Sequence, residues 1–569
     1  MNLEFFRKKD FVWFIFIAII FVALRLPAVH NSYHQDEYKW AYIVNTNISS
    51  EVGRIPHPPV GEFIYRSANN ILGNDNLRLV PLVFSFVNLF LLFYLAMILF
   101  GRKVALWITL FFSISFYSVL ASLMVDTDGA IMPMFFLIMA ISYMKLRKTN
   151  FQFKISNFQT TKWLIVFVLA GILGFLIKVS FVVFIGAFVL DFVIEKKILS
   201  DKKRVFRFLG WITGIAVLLI LILFVSRFIF PSFRLESSLK YWEHFVSFSG
   251  RGWFQTTIQF IKALLYSSPL LLAPLVFIDK EIFKKTRLFS LLIFVGLVFY
   301  LLLFDFSIGA LDRYLQFLVI PLAIISGAIF SKIIDKEEKI KSGEWMPFII
   351  IAVLIFIFQF LNHLALPLYP KTEWIRRVFY LGWSTLFPFM GGSGPTPFYI
   401  SLGFIALVWI VCLMFVIIAL KKIELRKNIL IGVFIFGLLY NVVFAEEYLF
   451  GKINGNTSSL ISNAVEFIEQ NPDIKKVIVY NDNGGGEIVN LGKYRKRLYI
   501  DPKFDINEKI EGLNKYKEHY LVVNIPKIDP ESVYAKYLNS CQSIYEETSG
   551  KISANIYDCS NAPDITNER

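Results

Sequence analysis

Long apolar runs separated by short polar breaks dominate the first three quarters of the chain. They fall near 11–29, 78–99, 104–122, 129–146, 163–177, 179–194, 208–230, 264–278, 288–304, 315–331, 346–362, 399–419 and 429–445. A helix needs about 20 apolar residues to cross a bilayer core, and must satisfy its own backbone hydrogen bonds there. The pattern therefore predicts a polytopic α-helical membrane protein with about thirteen transmembrane helices. Arg7, Lys8 and Lys9 precede the first run, which is longer than a signal-peptide core and is followed by no small-residue cleavage site. It reads as a retained first helix with its N-terminus in the cytoplasm.

Charge tests the count. Alternate breaks carry Arg102-Lys103, Lys145 to Lys162, Lys196 to Arg207, Lys280 to Arg287, Lys332 to Lys341 and Lys421 to Lys427. With thirteen passes these basic breaks all face one side, as the positive-inside rule requires. A single helix over 163–194 would flip every later loop, so charge demands two short passes meeting at Lys178. The larger polar segments 30–77, 231–263, 363–398 and the tail then lie outside.

Composition agrees. Of 569 residues 56% are hydrophobic and 18% charged, which excludes an ordinary soluble protein, with roughly a quarter charged, and excludes disorder. The net charge of +15 sorts largely to the inner loops, so it orients the chain and implies no nucleic-acid partner. Three cysteines exclude a disulfide scaffold and a four-cysteine zinc site. Cys412 lies within a helical run; Cys541 and Cys559 could pair in an outer tail or stay as free thiols.

From about Lys452 the charge rises and short strand-like runs appear: Val477–Tyr480, Leu498–Ile500 and Leu521–Ile525. They alternate with helical patterns near Ser459–Gln470, Asn507–His519 and Pro530–Asn539. Two domains are expected, a membrane module over 1–446 and a soluble α/β domain over 447–569 outside the membrane. Gly484-Gly485-Gly486 follows a predicted strand but has neither dinucleotide nor Walker spacing, and reads as a plain turn.

Acids are scarce in the membrane part, so the exceptions carry information. His34-Gln35-Asp36-Glu37-Tyr38 follows the first span, either as a helix cap or as a functional cluster. Asp126 and Asp128 occupy a very short outer break, where burying a carboxylate is costly. His57-Pro58-Pro59 opens an amphipathic helix with Val60, Ile64, Ala68 and Leu72 on one face. Asp312-Arg313-Tyr314 ends another outer segment, and Arg376-Arg377 lies in the third. All these elements, with Lys178, fall on one side.

Their order resembles the GT-C superfamily of integral-membrane glycosyltransferases, in the branch of protein O-mannosyltransferases and lipid A aminoarabinose transferases. The matching residues are Asp36-Glu37, His57-Pro58-Pro59, Asp126-Thr127-Asp128-Gly129, Gly171-x-x-Gly174-x-x-x-Lys178 and Arg313-Tyr314 before the Pro321 helix. They cover roughly residues 1–330 and leave out the tail. Val179-Ser180 stands where relatives tend to have Gly-Pro, and two aspartates stand where one is expected. The resemblance implies an inverting transfer of a sugar from a polyprenyl-phosphate carrier to a hydroxyl of a protein, lipid or glycan, outside a cell membrane that the chain spans many times. Asp36 is then the expected base, with Glu37 orienting it or meeting the acceptor. Lys178, Arg313, Arg376 and Arg377 would bind the donor phosphate. Asp128, Asp126 and His57 would meet the acceptor or complete a divalent-metal site. The competing readings are a secondary transporter, disfavoured because the acids cluster at helix ends and no internal repeat is evident, and a non-catalytic envelope-binding protein of the same fold.

Overall fold

The structure is a computed structural model. The structure describes residues 8–45, 57–148, 158–230, 233–245, 252–304, 311–335, 345–365, 377–389, 396–480, 482–498, 520–526 and 538–561. The predicted helix 507–519, most of 530–539 and Arg376 lie outside them. The protein is a polytopic helical membrane protein. Among the described residues nine helices are long and apolar enough to cross a bilayer, or ten when one bent pair counts as a single span.

Two compact units are present. The first contains Met1–Val29, Lys39–Lys341 and Val416–Leu438; the second contains His30–Tyr38, Ser342–Phe415 and Leu439–Arg569. The helices up to the middle of the chain are α1 (Lys8–Ala23), α2 (Asp36–Asn45), α3 (Pro59–Leu72), α4 (Leu79–Phe100), α5 (Arg102–Ile114), α6 (Phe116–Leu123), α7 (Ile131–Lys148) and α8 (Phe158–Ile177). They continue as α9 (Val182–Glu195), α10 (Lys202–Ile229), α11 (Leu235–Phe245), α12 (Trp253–Leu272), α13 (Lys280–Leu297), α14 (Leu311–Tyr314) and α15 (Val319–Asp335). Each predicted apolar run is mainly helical in its described part, but residues 399–401 of the run 399–419 belong to a strand, and the run 104–122 is two helices, α5 and α6, bent by 65°.

In the first unit α15 lies so close to α5 that a side chain on Gly327 would meet Ile108 Cα at 2.8 Å. Trp107 and Phe111 of α5 pack there against Phe330 and Phe434. Asp191 lies in α9, fully buried, and is held by Arg287 of α13 at 2.6 Å and by the Tyr143 hydroxyl of α7 at 2.8 Å. Glu195 takes Arg147 and Arg287 together, each at 2.7 Å. A buried acid becomes tolerable only with such partners, so this network lets the 14-residue α9 sit among longer helices. No residue in the most apolar stretch of α10 is buried in the protein, as suits a helix that faces lipid.

The second unit contains α16 (Met346–Ile357), the strands β1 (Leu364–Ala365), β2 (Thr385–Phe389) and β3 (Phe398–Ser401), and parts of α17 (Leu402–Lys421) and α18 (Arg426–Leu449). After α18 come α19 (Thr457–Gln470), β4 (Val477–Tyr480), α20 (Gly485–Asn490), β5 (Tyr494–Leu498), β6 (Tyr520–Pro526), β7 (Gln542–Ser549) and β8 (Ile552–Asp558). The sheet order is β5-β4-β6-β8-β7, with β4 parallel to both neighbours and β8 antiparallel to both of its own. Leu460, Ala464 and Ile468 recur every fourth residue of α19 and bury against Val477, Val479, Ile552, Ala554 and Ile556. Cys541 and Cys559 form a disulfide across the base of the β7–β8 hairpin. The buried Asn454 ties the sheets together: its backbone N–H donates to Glu447, its amide to Tyr399 O at 2.8 Å, and it accepts from Lys551 Nζ at 3.0 Å.

Candidate active site

Four sequence-predicted residues converge in the first unit. Asp126 and Asp128 stand on the turn between α6 and α7, Lys178 at the break after α8, and Arg313 in α14. Lys178 Nζ donates to Asp128 Oδ2, and Arg313 Nε lies 3.0 Å from Asp126 Oδ2 and 3.7 Å from Asp128 Oδ2. None of the four side chains is more than 6% exposed. The Tyr314 ring lies 4.6 Å from Lys178 Nζ, and its hydroxyl accepts from Arg313 Nη2 at 2.6 Å.

The scaffold for this cluster starts at the bend between α5 and α6. A helix end leaves carbonyls without partners, and a cation there is favourable. Arg25 is fully buried and supplies one. Its Nη1 donates to Ser113 O at 3.1 Å and Phe21 O at 2.8 Å, and its other nitrogens reach Ser118 and Ser122 hydroxyls at 2.9 and 3.0 Å. Arg78, also buried, donates to Leu123 O at 2.8 Å, the last carbonyl of α6. The next residues are fixed one by one: Gln316 donates to Met124 Sδ, Tyr65 OH to Asp126 O at 2.8 Å, and Asn88 to Ala130 O at 2.7 Å. Gly61 of α3 admits Thr127, whose methyl would lie 3.1 Å from an added Cβ.

The amphipathic reading of α3 holds, and Tyr65 and Gly61 mark the face it turns to the protein. The buried stripe is Gly61 and Tyr65, one position along from Val60, Ile64, Ala68 and Leu72. Close backbone approach at Gly61 and the hydroxyl bond of Tyr65 outweigh the larger aliphatic side chains, and Leu72 stays exposed.

Two glycines set the cluster's shape. A side chain on Gly174 would strike the Phe181 ring, so the chain folds back tightly around Lys178 only without one. A side chain on Gly129 would strike Ala121 O and the Gln316 amide. Gly129→Ala should therefore cost about 1–3 kcal/mol, as overpacking does. Thermal unfolding of the purified protein in detergent measures this, and an unchanged midpoint would mean that the turn yields freely.

The charges of the cluster balance, two acids against two cations. Burial raises both carboxyls, but Arg313, Lys178 and the Thr127 N–H (2.7 Å) overcome it at Asp126 and hold that group below the usual carboxylate range. At Asp128 burial wins over Lys178 with help from the neighbouring Asp126, and the carboxyl is pushed up to about 6. Burial would lower the Lys178 ammonium, but Asp128 and Asp126 keep it above its usual value. The carboxylates titrate as a pair.

This donor set does not fit the expected divalent ion. Both carboxylates already face an ammonium or guanidinium, which would repel a metal. Among the described residues no group of three or more His, Cys, Asp or Glu side chains is placed to hold one. His57 is half-buried at the entry to α3.

Asp36 and Glu37 open α2, and residues His30–Tyr38 belong to the second unit. Glu37 is 1% exposed and its Oε2 accepts the His34 N–H at 3.1 Å, while the Glu37 N–H donates to His34 O at 3.1 Å. The carboxylate thus caps the turn into α2. Gln35 before it holds the left-handed conformation, with φ 47°. Asp36 is half-buried. Arg377 belongs to the second unit as well. Sequence reasoning passed over Arg25, Arg78, Tyr65, Asn88 and Gln316; a basic residue at the end of an apolar run was the available signal for the first two.

Residues 56–229 match the family of dolichyl-phosphate-mannose-protein mannosyltransferases. His57, Asp126, Asp128 and Lys178 fall inside that stretch; Asp36, Glu37 and Arg313 fall outside. No curated protein sequence matches the chain. The fold is similar to that of ArnT from Cupriavidus metallidurans, at 13% identity and a TM-score of 0.51 in the apo state, over 96% of this chain and 97% of that one. For ArnT bound to undecaprenyl phosphate the TM-score is 0.52 at 13% identity, over 97% and 98% of the two chains. The oligosaccharyltransferase of Archaeoglobus fulgidus follows with a TM-score of 0.47 at 12% identity, over 92% and 70%. The resemblance read from the motifs is thus borne out at the level of the fold, which is that of ArnT.

Proposed function

We propose that this GT-C fold works as a polyprenyl-phosphate-sugar-dependent glycosyltransferase that moves a hexose or pentose to a hydroxyl of a protein, lipid or glycan. The observation that carries the reading is the buried pair of cations, Lys178 and Arg313, held by Asp126 and Asp128 at one end of the helices. A buried ion pair is weak evidence for stability, and here the two pairs gather two cations in one place. ArnT, of the same fold, has been crystallised with undecaprenyl phosphate, which supports a donor of that kind here.

In the proposed step Asp36 takes the proton of the acceptor hydroxyl. The acceptor oxygen bonds to the anomeric carbon as the bond from that carbon to the phosphate oxygen breaks. The bonding pair leaves with polyprenyl phosphate, and a single displacement inverts the centre. The leaving phosphate gains negative charge, which Lys178 and Arg313, with Arg376 and Arg377, stabilise. Asp126 and Asp128 hold the first two cations in place, and Glu37 orients Asp36 through its cap on the His34 N–H. The reading places this chemistry on the outer face of the cell membrane, with the N-terminus inside, the membrane module over 1–446 and the domain 447–569 outside.

The test is release of polyprenyl phosphate by the purified protein in liposomes. Polyprenyl-phosphate hexoses and pentoses serve as donors, and membranes of the source organism supply the acceptor. Release from at least one donor is expected, and none from any would reject the proposal.

Donor binding should also depend on pH. Above about pH 6 the four-group cluster is neutral; below it Asp128 takes up a proton and the cluster gains one positive charge. The donor is a phosphodiester, anionic throughout this window, so it should bind roughly 5-fold tighter at pH 5.5 than at 7.5. Asp128→Asn should hold the tighter affinity at both values. Tighter binding at high pH would contradict the assignment of these groups to the donor phosphate.

A further inference from the structure

The triple-glycine turn after β4, which the sequence marks as a plain turn, meets the segment that carries Asp36. The ring of Tyr38 occupies the space into which a Cβ on Gly486 would project, so the two residues pack only because position 486 has no side chain. Gly485, its neighbour, behaves differently: an added Cβ there would stand 3.3 Å from Tyr494 and 3.4 Å from Asp482, contacts that small shifts absorb. The turn is tightly specified, with Asp482 at φ 60° and Gly484 at φ 72°, and Asp482 accepting from the Tyr494 hydroxyl at 3.1 Å.

Its place in the sheet is also distinctive. Strand β4 lies between β5 and β6 and is parallel to both. From β4 the chain passes through α20 to β5 on one side, then returns to β6 on the other. The turn at the carboxyl end of β4 therefore sits where the connections diverge, the position at which open α/β sheets place their ligands. The left-handed Gln35 and the Glu37 cap stiffen the approach to Asp36 from the other side.

We propose that Gly486 and Tyr38 form a positioning contact through which the tail domain sets the placement of Asp36 toward the acceptor. This rests on the reading of Asp36 as the base. It gives the tail domain a task, that of fixing the segment that carries Asp36. Misplacing a reacting group by about 1 Å can cost 100-fold in rate, so a small shift of Tyr38 suffices to be seen.

In the full-length protein, Gly486→Ala should lower kcat about 10- to 100-fold, leave the donor KM within about 2-fold, and shift the acid limb of the pH–rate profile. Gly485→Ala, in the same turn but away from Tyr38, should change none of these. Combining Gly486→Ala with Tyr38→Ala should be no worse than Tyr38→Ala alone, because the clash is gone. Equal losses in Gly485→Ala and Gly486→Ala would show a folding effect and overturn the proposal. So would additive losses in the double variant, or wild-type kinetics in Gly486→Ala. If Asp36→Asn retains turnover, the base assignment itself falls, a separate result from neutral Gly486→Ala beside a dead Asp36→Asn. Independently of turnover, the double variant Tyr38→Cys, Gly486→Cys should cross-link under mild oxidation; failure to do so would remove the contact.

Discussion

Asp36→Asn should reduce sugar transfer about 1,000-fold while leaving the protein as stable as the wild type. General-base catalysis contributes about 100- to 10,000-fold, and an amide cannot accept the acceptor's proton. The substitution is nearly isosteric. Asp36 is the first residue of α2 and only half-buried, and asparagine is well accepted at a helix start. The loss of negative charge at the helix N-terminus costs about 0.3–1 kcal/mol, too little to unfold the protein. Glu37→Gln is the contrast, because glutamine can still accept the His34 N–H and keep the cap. That variant should retain a measurable fraction of turnover. Polyprenyl phosphate release measures both, with the unfolding midpoint as control. Undiminished release by Asp36→Asn would remove it as the base.

Lys178→Met is expected to have the second large effect, on stability and on turnover through different routes. The ammonium is the hydrogen-bonding partner of Asp128; the other cation near it among the described residues, Arg313, is 3.7 Å away and already engaged with Asp126. Removing one member of a buried pair costs about 3–5 kcal/mol because the other charge is stranded. Adding Asp128→Asn should restore most of that stability, since the stranded charge is then gone. Turnover should not return, because the leaving phosphate still lacks its cation, and a loss of about 100-fold or more should persist in the double variant. Recovery of both properties together would show that the pair is a structural staple only.

Much of the membrane fold was legible because lipid leaves a chain few options. A run such as 208–230 can only be a helix, and the absence of any buried residue in the most apolar stretch of α10 agrees with lipid as its solvent. The break at Lys178 was readable from loop charge, since one helix would have inverted all later loops. The bend inside 104–122 was not, because α5 and α6 are both apolar and hydropathy has no sense of direction. At the site, Asp126, Asp128, Lys178 and Arg313 were conspicuous because ionised groups beside apolar runs are expensive. Arg25 and Arg78 escaped notice because their partners include backbone carbonyls such as Ser113 O and Leu123 O, which no residue type announces. The protein-facing residues of α3 escaped for a related reason: periodicity follows large side chains, whereas Gly61 matters by having none. In the tail, β4 and β6 were visible as apolar runs, but the edge strand β7, with its exposed and polar positions, was not.

The buried Arg25 has a consequence for how the chain is made. Its hydrogen-bond partners beyond its own helix lie 88 to 97 residues later, in α5 and α6. When α1 leaves the ribosome, the guanidinium at its end has no such partners and is poorly suited to hydrocarbon. The first helix should therefore linger at the insertion machinery or near the headgroups until α6 emerges. Nascent chains halted before Ser113 should be extracted from the membrane more readily than chains halted after Ser122, and Arg25→Leu should erase that difference.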